Sequence, residues 1–148
     1  MRSKAPLALL EQVVMLAVFA LAAVLCLRAF LWADARSEGF ARRDRAMVEV
    51  QSAAEVLKAA GGEVAHAQRE AARRMGGTLS QGLWCLCYDE QWQVSGQEDA
   101  AYRLCAQGVP APVEGLCQAR VWLDWEENGE TLFEVTVAWQ EVAQDGGA

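Results

Sequence analysis

Residues 6–32 read PLALLEQVVMLAVFALAAVLCLRAFLW, and this stretch decides what kind of fold the rest of the chain has to build. Residues 13–27 hold no charged, amide or hydroxyl side chain. With the apolar residues on either side the run reaches membrane length, because about 20 helical residues cross a ~30 Å hydrocarbon core. Its internal charges, Glu11 and Arg28, lie near the two ends, where a flexible stem reaches the interface. The reading is a single-pass membrane helix over residues 7–32, preceded by a short basic tail, residues 1–6, that contains Arg2 and Lys4. A cleaved signal peptide is the rival. Against it, the run is long for a signal core, and the small-residue stop Ala33-Asp34-Ala35 lies beyond it.

Outside the run the chain is polar and acidic. It carries 13 basic and 20 acidic residues, a net charge of −7, unevenly divided. Residues 76–148 contain two basic residues, Arg103 and Arg120, against twelve acidic ones. An acidic distal half excludes nucleic acid as a partner, since phosphates demand the opposite sign. The carboxylates read as a solvated surface. The roughly 115 residues beyond the run suffice for one small domain with one core.

The helical signal continues past Trp32. No proline occurs between Pro6 and Pro110, and residues 33–60 are rich in Ala, Arg, Glu, Gln and Met. Phe40, Met47, Val50, Ala54 and Leu57 fall on one stripe, so residues 33–60 are expected to extend the membrane helix as an amphipathic half. Gly39 is a potential kink, and Gly61-Gly62 a stop. The cluster Arg42, Arg43 and Arg45 suits either anionic lipid or ion pairs with Asp44 and Glu49, the latter being the plainer reading. A second helix is expected over residues 63–75, closed by Gly76-Gly77, with the lone histidine, His66, on its charged side.

From Leu83 the period changes to alternation, and residues 82–143 are read as an antiparallel sheet domain followed by a flexible tail, residues 144–148. Leu83, Cys85 and Cys87 share a strand face, and a two-residue loop at Asp89-Glu90 would set Cys87 opposite Trp92 and Cys85 opposite Val94. Residues 102–107 form a further strand, and residues 108–115 a loop. Near the C-terminus a two-residue Asn128-Gly129 loop would oppose Leu123 to Glu134. A three-residue loop with Gly129 left-handed instead pairs Leu123 with Phe133, Val121 with Val135, Ala119 with Val137 and Cys117 with Trp139. The second register is expected. The fold class is therefore α+β: a long N-terminal helix, transmembrane then amphipathic, packed on a small four- to five-stranded antiparallel sheet.

This layout, with Leu9-Leu10-Glu11 leading into the apolar run, resembles the type IV pilin-like proteins, and more narrowly the minor pseudopilins of type II secretion systems. Aligned on the glutamate, Leu7 stands where the family has its mature first residue and Glu11 where it has its fifth. The family's peptidase cuts after a glycine; Pro6 occupies that place here, a degenerate cleavage site. The resemblance implies that Glu11 serves assembly by facing the free amine of a neighbour's first residue. It also implies a membrane-anchored structural subunit whose partners are the lipid bilayer and other pilin-like subunits, with the sheet domain extracytoplasmic. Arg2 and Lys4 on one flank, and Arg36, Arg42, Arg43 and Arg45 on the other, leave orientation undecided by charge alone. A stand-alone membrane-tethered binding module is the alternative.

Four cysteines lie in the sheet domain. Cys105 and Cys117 flank a short loop and form the preferred disulfide; Cys85 and Cys87 are a possible thiol pair that an extended strand keeps from bonding to each other. A four-thiolate zinc site lacks the usual two-residue spacers, so no metal is expected. Cys26 reads as a small apolar filler. No nucleophile elbow, phosphate loop or histidine pair occurs, so neither enzyme activity nor a cofactor is expected, and no small-molecule substrate is identifiable. Asp124, Glu126, Glu127 and Glu130 read as an acidic turn, and Trp122 and Trp125, at odd separation, as residues on opposite strand faces.

Overall fold

The computed structural model describes residues 5–141; the basic N-terminal tail that carries Arg2 and Lys4, and the tail over residues 144–148, lie outside them or at their margin. Helix α1 runs Ala5–Ala60 and α2 Val64–Met75. Six strands follow: β1 Thr78–Ser80, β2 Leu83–Tyr88, β3 Val94–Ser95, β4 Tyr102–Val109, β5 Leu116–Trp125 and β6 Glu130–Gln140, with a 3₁₀ turn Gln97–Asp99 before β4. The chain divides into two units at Ala41/Arg42.

In the first unit α1 is helical without a break, Gly39 included. Every described side chain over residues 9–34 is exposed, among them Phe19 at 75 % and Phe30 at 80 %. The helix is long and apolar enough to cross a membrane.

In the second unit residues 42–60 of α1, with α2, cover one face of the sheet. The strand order is β1-β2-β4-β5-β6, with β3 also on β2, and every pairing is antiparallel. The helices contribute small buried residues, Ala46, Val50, Ala53, Leu57, Ala67 and Ala71. The sheet supplies bulk through Trp84, Leu86, Tyr88, Tyr102, Leu104, Val121 and Leu123. The buried stripe is therefore rotated from the expected one: Val50, Leu57 and Ala54 are buried, Met47 is half-buried, and Phe40 is 57 % exposed. An apolar pattern weighted by size favours Phe and Met, whereas a sheet face already filled by aromatic rings accepts alanines opposite it.

Polar clips hold the layers together. The Gln68 amide, buried in α2, donates to Gly82 O at 2.8 Å and Ala106 O at 3.0 Å. The indole N–H groups of Trp84 and Trp139 donate to Gly76 O and Gly62 O, so each ends a helix on the sheet and satisfies carbonyls that the helix leaves open. Gly108 lies under Val64, where a Cβ would come within 2.9 Å of the valine side chain.

Two hairpins differ from expectation and one agrees. The sheet has six strands rather than four or five, because Thr78–Ser80 folds back on β2 through Gln81 and Gly82, both at positive φ (49° and 77°). A Gln-Gly pair in that mirror-image turn lacks the Asn or Asp that normally signals it. The turn after β2 is longer than two residues: Cys87 faces Ser95 and Tyr88 faces Val94, not Cys87 with Trp92. Asp89 Oδ1 accepts from the backbone of Gln91 and Gln93, both at 2.9 Å. Trp92, at φ 62°, lays its ring on Tyr102 with centroids 4.1 Å apart. Side-chain closure of the loop by an Asx turn and aromatic stacking thus outweigh the shorter connection. The β5–β6 register is as expected, with Leu123 opposite Phe133, Val121 opposite Val135, Ala119 opposite Val137 and Cys117 opposite Trp139. Its loop has one residue more, offset by a bulge at Leu123/Asp124, and Gly129 is left-handed at φ 66°.

Candidate functional site

Two groups of residues carry the chemistry expected from the sequence. The first is Glu11 on the exposed apolar helix. Its side chain is exposed and has no ion-pair or hydrogen-bond partner among the described residues. At the other end of the run the Arg36 guanidinium lies over the Trp32 ring, 5.0 Å from its centroid. An aromatic ring with a cation beside it is the chemistry found where apolar helix meets polar headgroup.

The basic cluster that follows is committed to the protein itself. Arg43 donates to Glu130 at 2.7 Å, Arg45 pairs with Glu49 at 2.8 Å, and Arg42 lies 4.4 Å over Trp125. Glu49 in turn accepts from the Tyr88 hydroxyl at 3.0 Å. Burial, and then the Glu49 carboxylate, push the Tyr88 hydroxyl well above its ordinary value, so the proton stays in the bond. These contacts fasten α1 to one end of the sheet, and the ion-pair reading of the cluster is the one the geometry supports.

The second group is the sulfur cluster on the uncovered sheet face. In β2 burial alternates, but the buried side chains are Trp84, Leu86 and Tyr88; Cys85 and Cys87 point to the opposite, half-exposed face. Cys85 stands directly opposite Cys105 and the two form a disulfide, with Cα atoms 4.2 Å apart. That spacing is the one expected of a non-hydrogen-bonded antiparallel pair, where facing strands come closest, near 4.5 Å. The expected bond between Cys105 and Cys117 is therefore corrected. Cys105 faces Trp122, five residues along β5 from Cys117, or about 16 Å at the strand rise. Loop length alone suggested that pair; the strand register forbids it. Cys87 on the open face is free, as are Cys117, which faces Trp139 on the helix-covered side, and Cys26 on the apolar helix. Burial, followed by the charge of Glu141, pushes the Cys117 thiol upward.

On the same open face Arg120 lies over Trp122, 5.0 Å from the ring centroid, and pairs with Glu134. Trp122 faces Cys105 and Trp125 faces Tyr102, on opposite sides of the sheet as the odd separation requires. Three of the four acidic residues of the last hairpin are engaged: Asp124 accepts from Trp122 and Thr131, Glu126 from Arg103 and Glu130 from Arg43. Glu130 is held below the usual carboxylate range by the Arg43 guanidinium and the Asn128 amide. No group of three or more His, Cys, Asp or Glu is placed to hold a metal among the described residues.

The Arg45–Glu49 pair is among the ion pairs expected from the sequence, whereas the Tyr88–Glu49 bond and the Cys85–Cys105 pairing escaped sequence reasoning. The latter two join residues whose proximity depends on register and helix rotation rather than on local pattern. No known protein family, characterised protein or solved structure matches this chain, so the functional reading rests on these geometries alone.

Proposed function

We propose that the chain is a membrane-anchored structural subunit of a pilin-like assembly, of the pseudopilin kind, embedded through residues 7–32 and acting by association of those helices. One observation carries the reading: a helix whose residues 9–34 are exposed and apolar continues, without a break, into the residues that cover an antiparallel sheet. Water does not tolerate an apolar surface of that extent on a stable protein, and lipid or neighbouring helices satisfy it. Glu11 is the one carboxylate in the first part of the run, and an unpaired carboxylate in hydrocarbon is costly. Pairing with a cationic group of an adjacent copy relieves that cost and fixes the stagger between helices. The cell membrane is the location this implies, with the sheet domain on the extracytoplasmic side, where the Cys85–Cys105 disulfide is stable.

The test is cysteine cross-linking in native membranes, with Cys26→Ser, Cys87→Ser and Cys117→Ser as background and single free cysteines moved through residues 14–24. Cross-linking that rises and falls with helical period, and that disappears with Glu11→Ala, is the expected result. A chain that stays uncross-linked at every position is a lone tethered module. The mass of the N-terminus, beginning at Leu7 or upstream of it, reports separately whether Pro6 permits processing.

A further inference from the structure

Among the described residues the sheet has an edge without a neighbouring strand on either side, and the chemistry of the two edges is complementary. Glu141 donates its backbone N–H to Gly115 O at 2.8 Å. Residues that bond the neighbouring strand alternate with residues that face away, so Glu134, Thr136, Ala138 and Gln140 turn their N–H and C=O groups to the free side of β6. The same alternation, carried across from the close Cys85–Cys105 pair, leaves the backbone groups of Leu79 in β1 and Val94 in β3 on the opposite edge.

The β1/β3 edge is short, three and two residues, which is one of the usual protections against strand addition, whereas β6 offers a long edge over residues 133–140. There is no proline or lysine in β1, β3 or β6, and Glu134, the one charge within residues 133–140, is drawn back by Arg120 on β5. Leu79 is 38 % exposed and Val94 62 %.

Direction and spacing also agree. Since every neighbour in the order β1-β2-β4-β5-β6 is antiparallel, β6 and β1 run the same way, as does β3. Leu79 is level with Trp84 and Val94 with Tyr88, four residues apart along β2, the interval that separates Val135 from Trp139 on β6. All four of these side chains lie on the helix-covered face of the sheet.

We propose that the β6 edge of one copy pairs in parallel with the β1/β3 edge of the next. Val94 then sits beside Val135 and Leu79 beside Trp139, while the free N–H and C=O groups of Glu134, Thr136, Ala138 and Gln140 donate and accept the bonds. The partner is a second copy of this chain. Because the two edges differ, the contact is head-to-tail and leaves a free edge at each end, so it propagates rather than closing as a dimer. All copies keep one orientation, which subunits anchored in one bilayer require. The inference rests on the assembly reading given above and names the surface that its outer domains use.

The experiment uses the full chain in membranes, with Cys26→Ser, Cys87→Ser and Cys117→Ser and with the Cys85–Cys105 bond retained. Val94→Cys and Val135→Cys in one chain should give a ladder of multimers on oxidation with copper phenanthroline. Either substitution alone should give none, and the two singly substituted chains mixed should give dimers only. Thr136→Pro removes one edge N–H without touching the β5 ladder, and should abolish the ladder of multimers at an unchanged melting temperature. Cross-linking by Val135→Cys alone overturns the proposal, because it means β6 meets β6. Absence of the ladder while helix cross-links within residues 14–24 persist overturns edge pairing and leaves the assembly reading standing. Absence of both overturns both.

Discussion

The hydroxyl of Tyr88 shows how a residue buried in one layer takes its properties from another. Burial in the sheet face and the acceptor Glu49 on α1 both disfavour the phenolate, raising its pKa in the fold. In the unfolded chain a tyrosine ionises near pH 10. Below about pH 10 both states keep the proton and the full stabilisation is present. As pH rises further the unfolded chain releases a proton that the folded chain retains, so stability falls. Tyr88→Phe should remove this alkaline loss and, at pH 7, cost about 1 kcal/mol for the lost bond to Glu49, which keeps its ion pair with Arg45. Denaturant titrations of the two proteins at pH 7 and pH 11 measure both effects; a parallel decline in wild type and variant would assign the loss elsewhere. None of this was legible in the sequence. Glu49 and Tyr88 are 39 residues apart, and a stripe that placed Phe40 toward the sheet would have turned Glu49 differently.

Among the elements, the disulfide between β2 and β4 and the glycines that precede β1 and β5 can each be probed by substitution. Cys85 and Cys105 close a loop of sequence separation 20, and loss of such a bond costs about 3 kcal/mol in the chain-entropy account. Cys105→Ser should therefore lower the denaturation midpoint clearly, whereas Cys117→Ser, at a free half-buried thiol, should change it by less than about 1 kcal/mol. Equal losses at the two positions would restore the Cys105–Cys117 bond. Glycines separate likewise. Gly77 and Gly115 both have positive φ, but a Cβ at Gly77 would lie 2.3 Å from Cys85 O, whereas at Gly115 it meets nothing within 4 Å. Gly115→Ala should cost about 1 kcal/mol from backbone strain alone, and Gly77→Ala several-fold more, measured by thermal melting. The β5–β6 register was legible because Ala119, Val121 and Leu123, alternating with Gln118, Arg120, Trp122 and Asp124, admit one apolar match on β6. The turn after β2 was not, because its length is set by Asp89 capping its own loop and by Trp92 reaching Tyr102, both contacts that alternation does not encode.

At the scale of the whole molecule, the distribution of polarity makes the strongest demand. Two basic and twelve acidic residues in residues 76–148 contrast with an apolar run that holds its charges at its ends. The run was legible, since the fifteen consecutive apolar residues 13–27 and their apolar flanks are their own signal. The sulfur pair was not, because a disulfide partner is a property of the folded sheet. If residues 7–32 span a bilayer, the cost of a new charge depends on depth. Ala20→Arg lies near the centre of the run and should cost about 2.5–3.5 kcal/mol of insertion free energy. Leu31→Arg, next to Trp32 and one helical turn from Arg28, should cost far less, because its stem reaches the interface. The fraction of protein that stays in the membrane pellet after an alkaline carbonate wash measures this directly. It should fall steeply for Ala20→Arg and little for Leu31→Arg. Equal losses at the two positions would mean that the run is not held across hydrocarbon but packs against something without a midplane, such as another protein surface.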